Sequence, residues 1–279
     1  MNPHHLQGRK ACIVALHRSL GSGRQWSKLS EALAPDYQMI AAEISGYGDP
    51  RGDVTSWPMR LAAEVAWLED QLDQATGPLH LVGHSYGGAI AFKIATSSCF
   101  APRLRSLTMI EPVLPTLLKD DDADRRLFDG FAELALDVYV HLWRGAPADA
   151  IAKFLSYWKG SAPAKELPLE LRLRMIDCAD KIAFDLSAAF AEESVAAAAA
   201  SLSVSTLLFS GGLSPALTQR VTERLASTIA GAKACHLPTA SHMLPVTNAK
   251  LVNPEIIAHI RRADRLAERF ARALTAAWR

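Results

Sequence analysis

Cysteine is scarce in this 279-residue chain: Cys12, Cys99, Cys178 and Cys235 stand far apart, with no Cys-x-x-Cys pair. That spacing speaks against a disulfide framework or a thiolate zinc site, and for reduced, partly buried small hydrophobes. Charge of one sign is also missing. Lys and Arg number 30 and Asp and Glu 29, so no broad field attracts nucleic acid or an anionic membrane. No segment has the roughly 18 uninterrupted apolar residues of a membrane span. Residues 1–10, MNPHHLQGRK, lack the apolar stretch of a signal peptide. The expectation is a cytoplasmic protein that handles a small molecule, without nucleic-acid or membrane partners.

What is present is an alternation of short apolar runs with amphipathic stretches. Residues 11–17, ACIVALH, form an apolar run with a polar tip, as a buried strand does at its end. A helix is expected over 25–34, a second strand over 37–44 and a turn over 45–50. Leu61, Val65, Leu68 and Leu72 recur at helical spacing, which predicts a helix over 57–72. A strand over 79–83, a helix over 87–97 and a strand over 104–110 follow closely. Such alternation implies right-handed βαβ units, hence an α/β fold: a mostly parallel central sheet with helices on both faces.

The rhythm breaks after Pro115. From about Asp120 to Ser201 the pattern is helical, with Leu127, Phe131, Leu134 and Val138, then Ile151, Phe154, Leu155 and Trp158. Alternation resumes with a strand at 206–210, a helix at 215–229 and a strand at 233–237. A last helix is expected to begin near Pro254, a residue suited to a first helical position, with the stripe Ile256, Ile257, Ile260, Leu266, Phe270 and Leu274. The expected organisation is a core of residues 1–118 and 202–279 interrupted by a helical cap at 119–201. Asp120, Asp121, Asp122 and Asp124 could hold a cation. Acidic residues ahead of a helix are more often solvated and favoured by its dipole.

Gly83-His84-Ser85-Tyr86-Gly87 fits Gly-x-Ser-x-Gly. Alone the pattern is weak, but it lies between an apolar strand and an apolar-periodic helix, the setting this motif needs. An elbow of this kind holds its serine in a strained backbone conformation, and the flanking glycines leave space for neighbouring chain. The hydroxyl then stands beside a helix N-terminus, where the dipole and free amides favour a developing oxyanion.

Further residues extend this pattern along the chain. His17-Arg18-Ser19 ends the first strand, Trp26 sits in the helix after it, Gly46-Tyr47-Gly48 ends the second strand, and Ser241-His242-Met243 follows the last. Over nearly its whole length the chain resembles the α/β-hydrolase superfamily, whose members carry His-Gly-x, an aromatic, Gly-x-Gly and Gly-His-Met in these places. The helical segment falls where that superfamily inserts cap domains. The resemblance implies Ser85 as nucleophile and His242, in a turn bounded by Pro238 and Pro245, as general base. Such a base works when neutral, so activity is expected to fall in acid.

The acid departs from the common pattern. Most members carry Gly-x-x-Asp after the strand at 206–210. Here the segment reads Ser210-Gly-Gly-Leu-Ser-Pro215, with no carboxylate between Leu207 and Gln219. Ser214 stands in the aspartate's place and cannot stabilise an imidazolium as a carboxylate does. Some members, including many haloalkane dehalogenases, place the acid after the preceding strand, where this chain has Glu111. The alternative for Glu111 is a surface carboxylate or strand-end cap.

By the same resemblance the oxyanion donors are the amides of Tyr86 and Ser19. Arg18 stands where glycine is usual; its guanidinium either turns to solvent or reaches a substrate carboxylate. His17 is expected to shape its loop and His84 to pack behind the nucleophile. Trp143 and Trp158 are candidate pocket residues among Phe128, Phe131, Tyr139, Phe154 and Tyr157, most of which should form the cap's own core. The implied activity is hydrolysis of an ester, lactone or thioester through an acyl-serine, without metal or organic cofactor. Acyltransferases, carbon–carbon bond hydrolases and some ligand receptors share the same triad. Dehalogenase and epoxide hydrolase chemistry uses aspartate where Ser85 stands.

Overall fold

The computed structural model describes residues 11–34, 36–48, 59–159 and 167–277. The first apolar run becomes β1 (Cys12–Leu16), followed by α1 (Ser27–Leu33), β2 (Gln38–Ala42), α2 (Leu61–Trp67) and α3 (Glu69–Asp73). Next come β3 (Leu79–His84), α4 (Tyr86–Ser97) and β4 (Leu104–Ile110). Helices then follow one another, with no strand among the described residues: α5 (Arg125–Trp143), α6 (Pro147–Lys159), α7 (Leu169–Asp177), α8 (Ala179–Phe190) and α9 (Val195–Ala200). The chain returns as β5 (Ser205–Gly211), α10 (Ala216–Thr228), β6 (Lys233–Leu237), α11 (Leu244–Thr247) and α12 (Ala249–Ala277).

The six strands form one sheet in the order β2-β1-β3-β4-β5-β6, and every neighbouring pair is parallel. Parallel neighbours need crossovers, and the helices supply them on both faces. Strand β1 shows why its sequence is continuously apolar. Cys12, Val14 and Leu16 enter one core, while Ile13 and Ala15 enter the other. The first core holds Leu61 and Val65 of α2, Leu72 of α3 and Ile90 of α4. The second holds Trp26, Leu29 and Leu33 with Val252, Ile256 and Ile260 of α12. Each fully buried Leu or Ile contributes on the order of 2 kcal/mol. The result is a stiff platform with the C-terminal ends of β3, β4 and β5 side by side.

Helices α5 to α9 connect β4 to β5, which are neighbours in the sheet. Phe131 of α5 is fully buried and lies 5.6 Å from the Tyr157 ring and 5.5 Å from that of Phe190. Asp124 accepts from Arg220 of α10 at 2.7 Å and Asp121 pairs with Arg224 at 3.1 Å, so this acidic run ties α5 to α10. Among the described residues no cluster of His, Cys, Asp or Glu is placed to hold a metal ion. None of the described helices is long and apolar enough to cross a membrane.

Two expectations about elements need correction. The helix read over 57–72 divides at Leu68 into α2 and α3; positions 57 and 58 lie outside the described residues. The last helix starts at Ala249, ahead of Pro254. A proline there has no N–H to donate to the Lys250 carbonyl, so the helix gives up that one backbone bond near its start. Of the apolar stripe, Ile256 and Ile260 are buried, whereas Leu266 and Phe270 are 50% and 68% exposed. At 29 residues α12 is about 43 Å long and outruns the sheet it packs on. The side chain of Leu274 lies outside the described residues.

Candidate active site

Ser85 is the single residue between β3 and α4, with φ 57° and ψ −119°. Its backbone is locked from both sides: its N–H donates to Ile110 and its C=O accepts from Val113, Gly88 and Ala89. The glycines of the motif are a packing requirement. A Cβ on Gly83 would sit 2.3 Å from the Gly87 carbonyl oxygen, and one on Gly87 would sit 2.3 Å from that of His17. That second approach also presses the elbow against the end of β1. Among the described residues four non-glycine positions have positive φ, and Leu20, Ser85 and Glu111 of them gather here. Such backbone is retained where the surroundings over-determine it, which happens most at functional sites.

The side chains complete a continuous chain of hydrogen bonds. His242 Nε2 lies 2.9 Å from Ser85 Oγ, and His242 Nδ1 lies 2.5 Å from Glu111 Oε2. With Nδ1–H donating to the carboxylate, Nε2 is left to accept the serine proton. Glu111 follows β4 directly, is fully buried, and accepts the Gly211 N–H on Oε1 at 2.6 Å. Ser85 and His242 are 4% and 3% exposed. All three side chains are thus fixed and largely dry.

The surroundings hold the imidazole in place. His84 Nε2 lies 2.8 Å from the His242 carbonyl and His84 Nδ1 lies 3.1 Å from Gln25 Nε2. Burial first, then the neighbouring His242, push the His84 pKa well below the usual imidazole value, so His84 stays neutral. In that state Nε2–H donates to His242 and Nδ1 accepts from Gln25. The Trp158 ring stacks on the His242 ring, 4.2 Å between centroids at 25°.

The loop after β1 faces the elbow. His17 is fully buried; its Nδ1 donates to the Arg18 carbonyl at 2.7 Å and its Nε2 accepts from Ile44 N–H at 3.1 Å. Arg18 does not turn to solvent. It is half-buried, its guanidinium donates to the Ser19 carbonyl at 2.7 Å, and burial lowers its pKa from the ordinary arginine value. Tyr86 is the first residue of α4, where an N–H has no intrahelical partner. Neither its amide nor that of Ser19 donates to another described residue.

Residues 13–255 match the sequence profile of the alpha/beta hydrolase family. The chain belongs to that family. Over 149 residues it is 33% identical to the pimeloyl-[acyl-carrier protein] methyl ester esterase of Xanthomonas oryzae pv. oryzae, covering 52% of this chain and 55% of the relative. Over 107 residues it is 30% identical to lipase LipV of Mycobacterium tuberculosis, covering 37% and 38%. The matched stretches span about half or less of the length of these curated relatives. The structure of MenH from S. aureus shares this hydrolase fold, with a TM-score of 0.70 at 18% identity over 91% of this chain and 95% of that one.

Of the residues singled out from sequence, the hydrolase fold brings Ser85, His242, Glu111, His84 and Trp158 into contact. Trp143 is excluded from that group. It ends α5 and is 87% exposed, so it lines no enclosed pocket. Lys181, Asp185 and Glu64 went unnoticed, although all three are buried and Asp185 accepts the Ser19 hydroxyl of this loop. The one available signal was an i, i+4 Lys–Asp pair inside the apolar run Ala179–Phe190.

Proposed function

We propose that this hydrolase-family chain cleaves a carboxylic ester, lactone or thioester through an acyl-serine intermediate. The carrying observation is the unbroken path from a strained, buried Ser85 through His242 to the buried Glu111. Ser85 Oγ attacks the carbonyl carbon while His242 Nε2 takes its proton, and Glu111 stabilises the imidazolium that forms. The amides of Tyr86 and Ser19 hold the oxyanion. Collapse of the tetrahedral species expels the leaving group, which takes the proton from His242. Water, activated by the same imidazole, then releases the acid and restores Ser85.

The names of the two curated relatives, an ester esterase and a lipase, support ester chemistry over other uses of this triad. In this reading residues 119–201 are a cap over the site, and Trp158 of α6 forms the wall beside His242. The test is exposure to a fluorophosphonate followed by intact-mass analysis and peptide mapping. One adduct on Ser85, absent in Ser85→Ala, is expected. Folded protein that gains no adduct would rule out an activated serine.

A further inference from the structure

Helix α8 brings two charges into the interior. Lys181 and Asp185, one turn apart, form an ion pair and are 0% and 3% exposed. Asp185 Oδ2 accepts the Ser19 hydroxyl at 2.5 Å and the Tyr47 hydroxyl at 2.6 Å. Lys181 Nζ lies 5.2 Å from the centroid of the Tyr86 ring and 5.5 Å from that of Tyr47. It also lies 3.6 Å from Glu64 of α2, whose carboxylate accepts from Ser45 N–H at 3.0 Å and Ser45 Oγ–H at 2.9 Å. A single ion pair therefore touches the side chains of both Ser19 and Tyr86.

Stability is a poor reason for such an arrangement. Desolvation takes several kcal/mol per ion, and apolar residues of similar volume commonly do as well. What an ion pair adds is direction, because charge-assisted hydrogen bonds are short and geometrically demanding. Ser19 needs direction. It is followed by Leu20 at φ 56°, and the His17 contacts anchor only the sheet side of the loop. Among the described residues, the bond from the Ser19 hydroxyl to Asp185 is what joins this residue to the helices above.

We propose that Lys181 and Asp185 are positioning residues for the oxyanion hole. Asp185 sets the Ser19 loop and Lys181 seats the Tyr86 ring, so that the two backbone amides converge only when α8 is docked. The inference rests on the reading of Ser85 as nucleophile and of these amides as oxyanion donors. It adds that the helical segment between β4 and β5 takes part in building the catalytic geometry.

The rate at which a fluorophosphonate inactivates the protein tests this without knowledge of the natural substrate. As Ser85 Oγ bonds to phosphorus, fluoride leaves, the serine proton passes to His242 and the phosphonyl oxygen enters the oxyanion hole. Ser19→Ala keeps its backbone amide and loses only the hydroxyl. It should lower the limiting inactivation rate about tenfold, with the half-saturating probe concentration within about twofold and Tm lowered by only a few degrees. Asp185→Asn should lose at least as much, and the double variant should be no slower than Asp185→Asn alone, because both break one link. A Ser19→Ala rate equal to wild type, multiplying effects, or a change confined to half-saturation would overturn the proposal. If Asp185→Asn does not fold, the Ser19→Ala rate and Tm decide. Wild-type protein unlabelled at Ser85 is a separate result, which removes the catalytic reading itself.

Discussion

At the scale of single residues the site is a set of exact fits, and each fit has a measurable cost. Replacing Glu111 by Gln keeps the volume but removes the charge that, on the proposed mechanism, stabilises the His242 imidazolium. Turnover of an activated ester should fall on the order of 10⁴-fold while near-UV circular dichroism is unchanged. A loss of less than tenfold would leave Glu111 a structural strand-end carboxylate. Trp158 presents its face to His242. On the proposed mechanism its quadrupole favours the transient imidazolium, so Trp158→Ala should lower kcat by about tenfold, with Phe intermediate. Gly87→Ala places a methyl group 2.3 Å from the His17 carbonyl oxygen and 2.5 Å from that of Leu16. Urea unfolding should show a loss of about 3 kcal/mol, because backbone atoms cannot step aside as a side chain does. Ser85 and His242 were legible because their neighbours form short local motifs. Glu111 was legible through the missing carboxylate between Leu207 and Gln219. Lys181 and Asp185 were not, since an i, i+4 ion pair on a helix reads as a solvated face until the partners across the gap are known.

At the scale of elements the contact between α2 and α8 carries its own prediction. Glu64 of α2 faces Lys181 and Asp185 of α8 together with Ser45. Burial, partly opposed by Lys181, pushes its pKa from 4.5 up to about 7. The folded state therefore holds this proton more tightly than the unfolded chain does. Its contribution to stability is fully present below about pH 4.5 and is lost as pH rises through about 7. Glu64→Gln lacks that slope. Measured at pH 5 and pH 8, the variant should gain on wild type by on the order of 2 kcal/mol at the higher pH. Parallel curves would place the Glu64 proton elsewhere. Periodicity located most of these elements, and their ends were harder to read. Pro254 marked a start that the structure places at Ala249, because a proline in the second turn costs a helix only one backbone bond near its end. The stripe of α12 promised burial as far as Phe270, yet the sheet beneath it ends sooner. Sequence periodicity fixes a helix face but not how much of it finds a neighbour.

At the scale of the whole molecule the parallel sheet explains why the site can be assembled from distant pieces. Ser85 follows β3 and Glu111 follows β4, strands that lie side by side, while His242 comes in beyond β6 at the far edge. Alternation of strand and helix was enough to foresee this layout, since right-handed crossovers leave few other arrangements. The contact of α8 with the loop after β1 was not foreseeable, because nothing in a local pattern records which helix covers which loop.

The 157-residue separation of Ser85 and His242 also sets an order in time. At bacterial or eukaryotic elongation rates of about 5–20 residues per second, His242 is made roughly 8–30 s after Ser85. Throughout that interval the serine elbow can be in place while the imidazole that bonds its hydroxyl, that of His242, is absent. A ribosome-stalled chain ending before His242 should resist fluorophosphonate labelling, and one extended through α12 and clear of the exit tunnel should accept it. On the proposed mechanism a chain still short of His242 carries the serine elbow without its hydrogen-bonded partner, and its hydroxyl stays chemically silent until that residue has been made.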